Sequence, residues 1–356
     1  MTDNLNLRVQ HIDIAKGISI VLVAMNHSKI SDFLPALIDA LGLLRMPLFF
    51  FLAGVFISSK SSVIVFVTRK CGILLKPYFV TLLISATIAL FFPFKDGKFK
   101  SDIIGIFYGV GDSISWTSLW FLTHLFVLTI VGYLIIRLYR FEQRSVFANV
   151  CFFIGLIALS YLVSDQLTLV KINVFGFDEP IRGLPFSIDL LPFSLIFFLG
   201  GYVLRKQVIN IELSWAYFVL AGFLFFIICF FTTTDINLNE RIITKPLLVV
   251  VEGFLGIYLV LSVSLIMNRN IIMTRICLFF GVASLYILIF HGALLFYVNY
   301  YLTRILHHLA IESTQLLNIA IATVTFILSV SIPPLIKKTK LLDTFLVPTK
   351  SVDKSI

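Results

Sequence analysis

The chain has 356 residues, 59% of them hydrophobic and only 13% charged, with a net charge of +9. At a mean hydropathy of +1.02 it carries more apolar surface than a soluble domain of this length can bury, which excludes a soluble globular protein. The positive balance does not point to nucleic acid, because the basic residues are scattered between apolar runs and build no single face or groove.

Apolar runs of about 20 residues, the length that crosses a bilayer as a helix, occur near 12–30, 37–57, 71–93, 117–137, 146–165, 184–204, 213–232, 246–267, 276–300 and 316–336. They predict an all-α polytopic membrane protein, a bundle of about ten transmembrane helices in the lipid bilayer. The first run is expected to stay as a helix: Lys16 interrupts its apolar part and no A-x-A-like cleavage site follows. Cys71, Cys151, Cys229 and Cys277 fall inside or at the edges of the runs without CxxC spacing. They are expected to be buried packing residues, with no disulfide, no metal site and no bound cofactor. The stretch GVGDS at 109–113 follows no strand, so a plain turn is expected there, not a phosphate loop. No internal repeat is visible and no soluble domain fits, which leaves a transmembrane domain over 1–340 and a short cytoplasmic tail over 341–356.

Loop charges set the orientation. One set of flanks holds Lys60, Arg69 and Lys70; Arg137, Arg140 and Arg144; Arg205 and Lys206; Arg269 and Arg275; and Lys337, Lys338 and Lys340. The alternating set balances acids and bases, as in 165–183 with Asp165, Asp178 and Glu179 against Lys171 and Arg182. By the positive-inside rule the basic flanks, and with them both termini, are cytoplasmic.

That orientation gives each intramembrane polar residue a depth. Helix 1 runs outward with Lys16 near its cytoplasmic end and His27 near its outer end, eleven residues later. At 1.5 Å and 100° per residue the two lie roughly 16 Å apart on nearly one face. Arg45, His124, Asp189, Glu252 and His291 fall in the outer halves of later helices, at a common level with His27. Asp13, Lys16 and Lys76 lie nearer the cytoplasm, with Arg69 and Lys70 just outside, a mostly basic set that suits phosphates.

Each has a plainer explanation as well. Lys16 and Lys76 are close enough to helix ends to snorkel, and Asp13 and Lys16 are spaced to pair with each other. His124, Asp189 and Glu252 suit interhelical hydrogen bonds, and His307 and His308 fall in an outer loop. Arg45 is too deep to reach either interface, which favours function. An imidazole, an arginine and a carboxylate at one level serve acyl transfer, with a general base and an oxyanion partner. They serve proton-coupled transport equally well, and depth does not choose between the two.

The stretches HIDIAKGISIVLVAMNH at 11–27, LRMPLFFFLAGVF at 44–56, LWFLTHLF at 119–126 and FFGVASLYILIFH at 279–291 resemble the acyltransferase 3 membrane proteins, which move acetyl and related groups onto sugars of surface glycans. FFLGGYVLRK at 197–206 and LLKPYFV at 74–80 are similar to further family positions. The resemblance implies a ten-helix fold and an active centre marked by a basic residue eleven positions before a histidine, here Lys16 and His27. The family's usual arginine is replaced by lysine, which keeps the charge but loses the bidentate fork.

The resemblance further implies acyl-coenzyme A, in the first place acetyl-CoA, as donor substrate from the cytoplasm. Its phosphates would lie near Lys16, Lys76, Arg69 or Lys70, and its thioester near His27. His27 would be general base or acyl carrier, Arg45 with His291 or His124 would face the oxyanion, and Asp189 or Glu252 would orient a histidine. The expected acceptor is a hydroxyl of a cell-surface or lipid-linked glycan such as O-antigen or capsule, at the bacterial inner membrane, with loop aromatics such as Trp116 and Phe175 able to stack on a sugar. The alternative is a transporter, flippase or polymerase of lipid-linked glycans, for which coenzyme A would be neither bound nor consumed.

Overall fold

Within hydrocarbon every backbone N–H and C=O needs a partner from its own chain, and a run of apolar residues meets that need only as a helix. The computed structural model follows this rule over the residues it describes: 9–58, 61–91, 99–167, 169–174, 176–309, 314–339 and Leu346. Lys60, Phe175, Lys340 and the 341–356 tail apart from Leu346 lie outside the described residues.

Helix α1 (Gln10–Asn26) gives way to a 3-10 turn at Lys29–Asp32, followed by α2 (Pro35–Val55), which starts on a proline whose missing N–H costs nothing at that position. Helix α3 (Val63–Lys70) passes through a π turn at Cys71–Leu75 into α4 (Lys76–Phe91), and α5 (Phe99–Tyr108) leads to α6 (Trp120–Tyr139). Then come α7 (Val146–Leu167), α8 (Leu191–Val203), the short α9 (Arg205–Ile209), α10 (Trp215–Phe231), α11 (Pro246–Met267), α12 (Ile271–Val282), α13 (Ser284–His308) and α14 (Gln315–Ile336). Two small antiparallel hairpins pair β1 (Lys171–Ile172) with β2 (Ile181–Arg182) and β3 (Ile236–Asn237) with β4 (Ile242–Ile243). The chain is thus an all-α, multi-pass integral membrane protein.

Among the described residues eight helices are long and apolar enough to cross a membrane, with Trp215–Phe231 and Ile271–Val282 apolar but shorter. The count differs from ten uniform spans for two local reasons. First, α1 stops at Asn26 instead of continuing to 30, because Ser28 turns the chain: its Oγ donates to Met25 O at 2.7 Å and accepts from Ile30 N at 3.3 Å. At 17 residues α1 is about 25 Å long, short of the roughly 30 Å of hydrocarbon. Second, α10 is also only 17 residues long, Trp215–Phe231; the 276–300 run is split at Ala283 into α12 and α13, of which α13 is itself long enough to cross. Helix α13 also continues through His307 and His308, which are exposed residues of its last turn and not part of a loop.

Small residues let the central helices approach closely. A Cβ at Gly54 would collide with the backbone of Phe198, and one at Gly201 with that of Phe51, so α2 and α8 touch backbone to backbone. Gly17 and Gly281 do the same for α1 and α12. By contrast α7 and α10 present exposed apolar side chains such as Phe147, Leu162, Phe226 and Phe231, the face lipid would cover. Cys151 lies exposed on α7 and Cys71 and Cys229 are half-buried, so of the four cysteines only Cys277 is the fully buried packing residue expected.

Candidate active site

The end of α1 positions the first candidate. His27 closes the helix, its backbone N–H reaching Val23 O at 3.4 Å, and its side chain is exposed to a cavity of about 680 Å³. The break in the helix suits this location, since non-helical backbone at membrane depth is tolerated where it lines a wet cavity. The cavity is walled by His27, Ser28 and Lys29, by the 115–118 stretch including Trp116, by α13 from Ile289 to Asn299, and by Ala322 and Thr325 of α14.

His291 enters from α13, the eighth of its 25 residues. Its ring lies 5.3 Å from that of His27, centroid to centroid. Its Nδ1 is within 2.8 Å of Ile287 O and 3.0 Å of Leu288 O. Carbonyl oxygens only accept, so Nδ1 carries a proton and, in the neutral ring, the lone pair sits on Nε2. That Nε2 and Thr325 Oγ1 are buried atoms without a hydrogen-bond partner among the described residues, and both residues belong to the cavity wall. Orphaned polar atoms on a cavity wall fit a polar ligand.

Arg45 is the eleventh of 21 residues in α2, about 15 Å from either end. It therefore sits at the middle of its helix, deeper than the outer-half position expected from the sequence. Its backbone O accepts from Ser19 Oγ of α1 at 3.5 Å. Arg45 Nη1 is buried with no partner among the described residues. One imidazole open to the cavity and a second with a free Nε2 thus converge from α1 and α13, while Arg45 of α2 is not among the residues of the cavity wall.

The other polar candidates occupy separate places. His124 is fully buried on α6, with Nδ1 donating to Ser187 O at 3.0 Å and Nε2 within 3.1 Å of Ser194 Oγ. Asp189 accepts from Arg241 Nε at 3.1 Å and from Leu184 N at 3.0 Å. Arg241 is 0% exposed and also donates to Ser187 Oγ and Asn239 O, each at 2.9 Å. Glu252 Oε1 accepts from Thr234 Oγ1 at 2.9 Å, beside Cys229. Among the described residues neither carboxylate hydrogen-bonds a histidine; their partners tie the two hairpin loops to the bundle. The GVGDS stretch forms a 3-10 turn at Gly111–Ser113, and Asp112 accepts two bonds from Arg182 of β2, at 2.7 and 3.3 Å.

Of the basic candidates, Lys16 lies at the other end of α2, while Arg69 and Lys70 lie on α3. Lys16 pairs with Asp13 at 3.3 Å and lies 4.4 Å over the ring of Phe56, the residue just after α2. Arg69 and Lys70 lie 5.8 and 5.4 Å from the Phe66 ring, which stacks on Tyr133 at 4.1 Å. Arg137 donates to Tyr133 OH at 3.0 Å, placing a third cation at this stack, and Lys76 opens α4 one π turn further on. Sequence reasoning treated Arg137 only as a marker of orientation, and nothing in its spacing distinguishes it. Arg241 was missed because it sits in a polar loop, where exposure is the default; Lys29 had one available signal, its place two residues after His27.

Residues 9–337 match the acyltransferase 3 family, described as an acyltransferase domain. The match covers nearly the whole chain, and the protein belongs to that family. No curated protein and no solved structure matches it.

Proposed function

We propose that this acyltransferase moves an acyl group, in the first place acetyl, from coenzyme A on the cytoplasmic side to a hydroxyl of a cell-surface or lipid-linked glycan at a bacterial inner membrane. The observation that carries the proposal is the paired imidazoles of His27 and His291, 5.3 Å apart, on the wall of a 680 Å³ cavity rich in hydroxyls and bearing Trp116. A cavity of that volume holds a ligand of drug or oligosaccharide-fragment size, and an aromatic face among hydroxyl groups suits a sugar ring.

Donor phosphates would rest on Lys16, Arg69, Lys70 and Lys76, with Arg137 added to the set by its place on the Phe66–Tyr133 stack. From Lys16 the path along α1 to His27 is about 16 Å, a length the pantetheine arm spans. At the cavity His27 takes the proton of the acceptor hydroxyl as that oxygen attacks the thioester carbon. The carbonyl electrons move onto oxygen, the C–S bond then breaks, and the coenzyme A thiolate leaves and takes up the proton. In a two-step route His27 nitrogen attacks first and expels the coenzyme A thiolate, and the hydroxyl then displaces the acyl group from the imidazole as its proton passes to the thiolate.

The oxyanion role falls to Arg45, whose Nη1 has a free N–H. Neutral His291 cannot share it, because its proton is committed to the Ile287 and Leu288 carbonyls. It acts instead as an acceptor that orients His27 or the incoming hydroxyl.

The experiment is direct binding of acetyl-CoA to purified protein in lipid nanodiscs. Saturable binding that weakens in Lys16→Glu supports donor entry as described. Absence of binding, with glycan export or chain length still dependent on the protein, would favour the transporter or polymerase alternative.

A further inference from the structure

The cavity wall has a charge pattern that speaks to the acceptor. Its ionisable members are Lys29, His27, His291 and Tyr297, and among the described residues no carboxylate lines it. Of the acidic residues on neighbouring segments, Asp32 and Asp39 are not part of the wall, and Asp112 pairs with Arg182. Lys29 is exposed and makes no ion pair among the described residues. Its backbone is nevertheless held in place. Ser28 caps the 3-10 turn that Lys29 begins, and Ser31 Oγ donates to Ser28 O at 2.7 Å. The Lys29 Cα is at most about 7 Å from that of His27.

We infer that the acceptor carries an anionic group, a sugar carboxylate or a phosphate, and that Lys29 seats it while the reacting hydroxyl lies at His27. This rests on the acyl-transfer function proposed above and narrows its acceptor to acidic glycans. A neutral sugar would gain only the hydroxyl and Trp116 contacts and would leave the Lys29 ammonium without a counter-charge. An anion would meet the exposed Lys29 ammonium at the cavity wall, and charge-assisted hydrogen bonds are stronger than neutral ones. The short chain distance from His27 to Lys29 puts the anion on the acylated sugar or its immediate neighbour, which makes Lys29 a residue of specificity.

The test uses the full-length protein in nanodiscs with acetyl-CoA and paired acceptors. One pair is an oligosaccharide bearing a uronic acid and the same oligosaccharide after carboxyl reduction. The other is a neutral oligosaccharide, free and linked through pyrophosphate to a polyprenyl carrier. The wild type is expected to favour the charged member of one pair at least tenfold in kcat/KM; the pair that shows it identifies carboxylate or phosphate as the source. Lys29→Gln should cut that preference about tenfold through KM, Lys29→Glu should abolish it, and Lys29→Arg should keep it. Transfer to charged and neutral members alike, or a preference that Lys29→Glu leaves intact, would overturn the inference while the transferase stands. Coenzyme A consumption with none of the four acceptors acylated would overturn it as well, whereas failure to bind or consume acetyl-CoA at all would strike the acyl-transfer function itself.

Discussion

Asp189→Ala should destabilise the protein strongly, and the structure says by how much. Asp189 and Arg241 meet at 3.1 Å with side chains 4% and 0% exposed. Removing the carboxylate leaves a guanidinium that still donates to Ser187 Oγ and Asn239 O but has lost the one carboxylate it pairs with among the described residues. It also strips Leu184 N of its acceptor. Breaking a buried pair from one side costs about 3–5 kcal/mol. Arg241 also braces Phe186 and Ser187, which hold φ of 55° and 54° against their own preference. Arg241→Met should therefore cost at least as much, while the double substitution Asp189→Leu with Arg241→Met removes both charges and should cost less than the two singles summed. At about 2 °C per kcal/mol for a chain of this size, each single should lower the melting temperature by roughly 6–10 °C. Thermal denaturation in one fixed detergent and lipid mixture, run as a double-mutant cycle, measures this. A single-substitution shift below about 2 °C, or strict additivity in the double, would refute the reasoning.

Three further outcomes are expected. Arg45→Ala should lower kcat for acyl transfer by about 10²–10³ while leaving the KM for acetyl-CoA near its wild-type value, as loss of an oxyanion donor requires; steady-state kinetics with the acceptor saturating checks it. Gly281→Leu places a side chain against the Asp13 backbone and forces α12 away from α1, so detergent melting should report about 1–3 kcal/mol of destabilisation. Lys16→Ala should raise the KM for acetyl-CoA several-fold and Lys16→Arg should not, whereas a role confined to the Asp13 pair would leave that KM unchanged in both.

Much of the fold is legible in the sequence because hydrocarbon imposes one rule, and runs such as 146–165 and 246–267 obey it within a residue or two of α7 and α11. The rule fails where polar chemistry overrides it. Hydropathy carries the first run through Ile30, yet Ser28 recaptures the end of α1 and turns His27 into a cavity wall. Nothing apolar marks the break at Ala283. The site was legible in part: the spacing of Lys16 and His27 is a sequence property, but the approach of His291 to His27 depends on how α13 packs against α1. Counting depth along each helix put His124, Asp189 and Glu252 on the same level as His27. Level does not fix neighbours, and their hydrogen bonds run to Ser187, Arg241 and Thr234. Arg241 shows the reverse error, since a charged loop residue reads as solvated until its carboxylate partner is seen.

The central claim is that His27 handles the acyl group between cytoplasmic donor and outer acceptor. Inverted membrane vesicles given labelled acetyl-CoA on the cytoplasmic face, with native glycan as acceptor, test it with wild type beside His27→Ala at matched expression. The account predicts label in base-labile ester on the glycan with wild type, and a loss of about 10²–10⁴ with His27→Ala, the usual worth of a general base. Ester formation at wild-type rate in His27→Ala would contradict it.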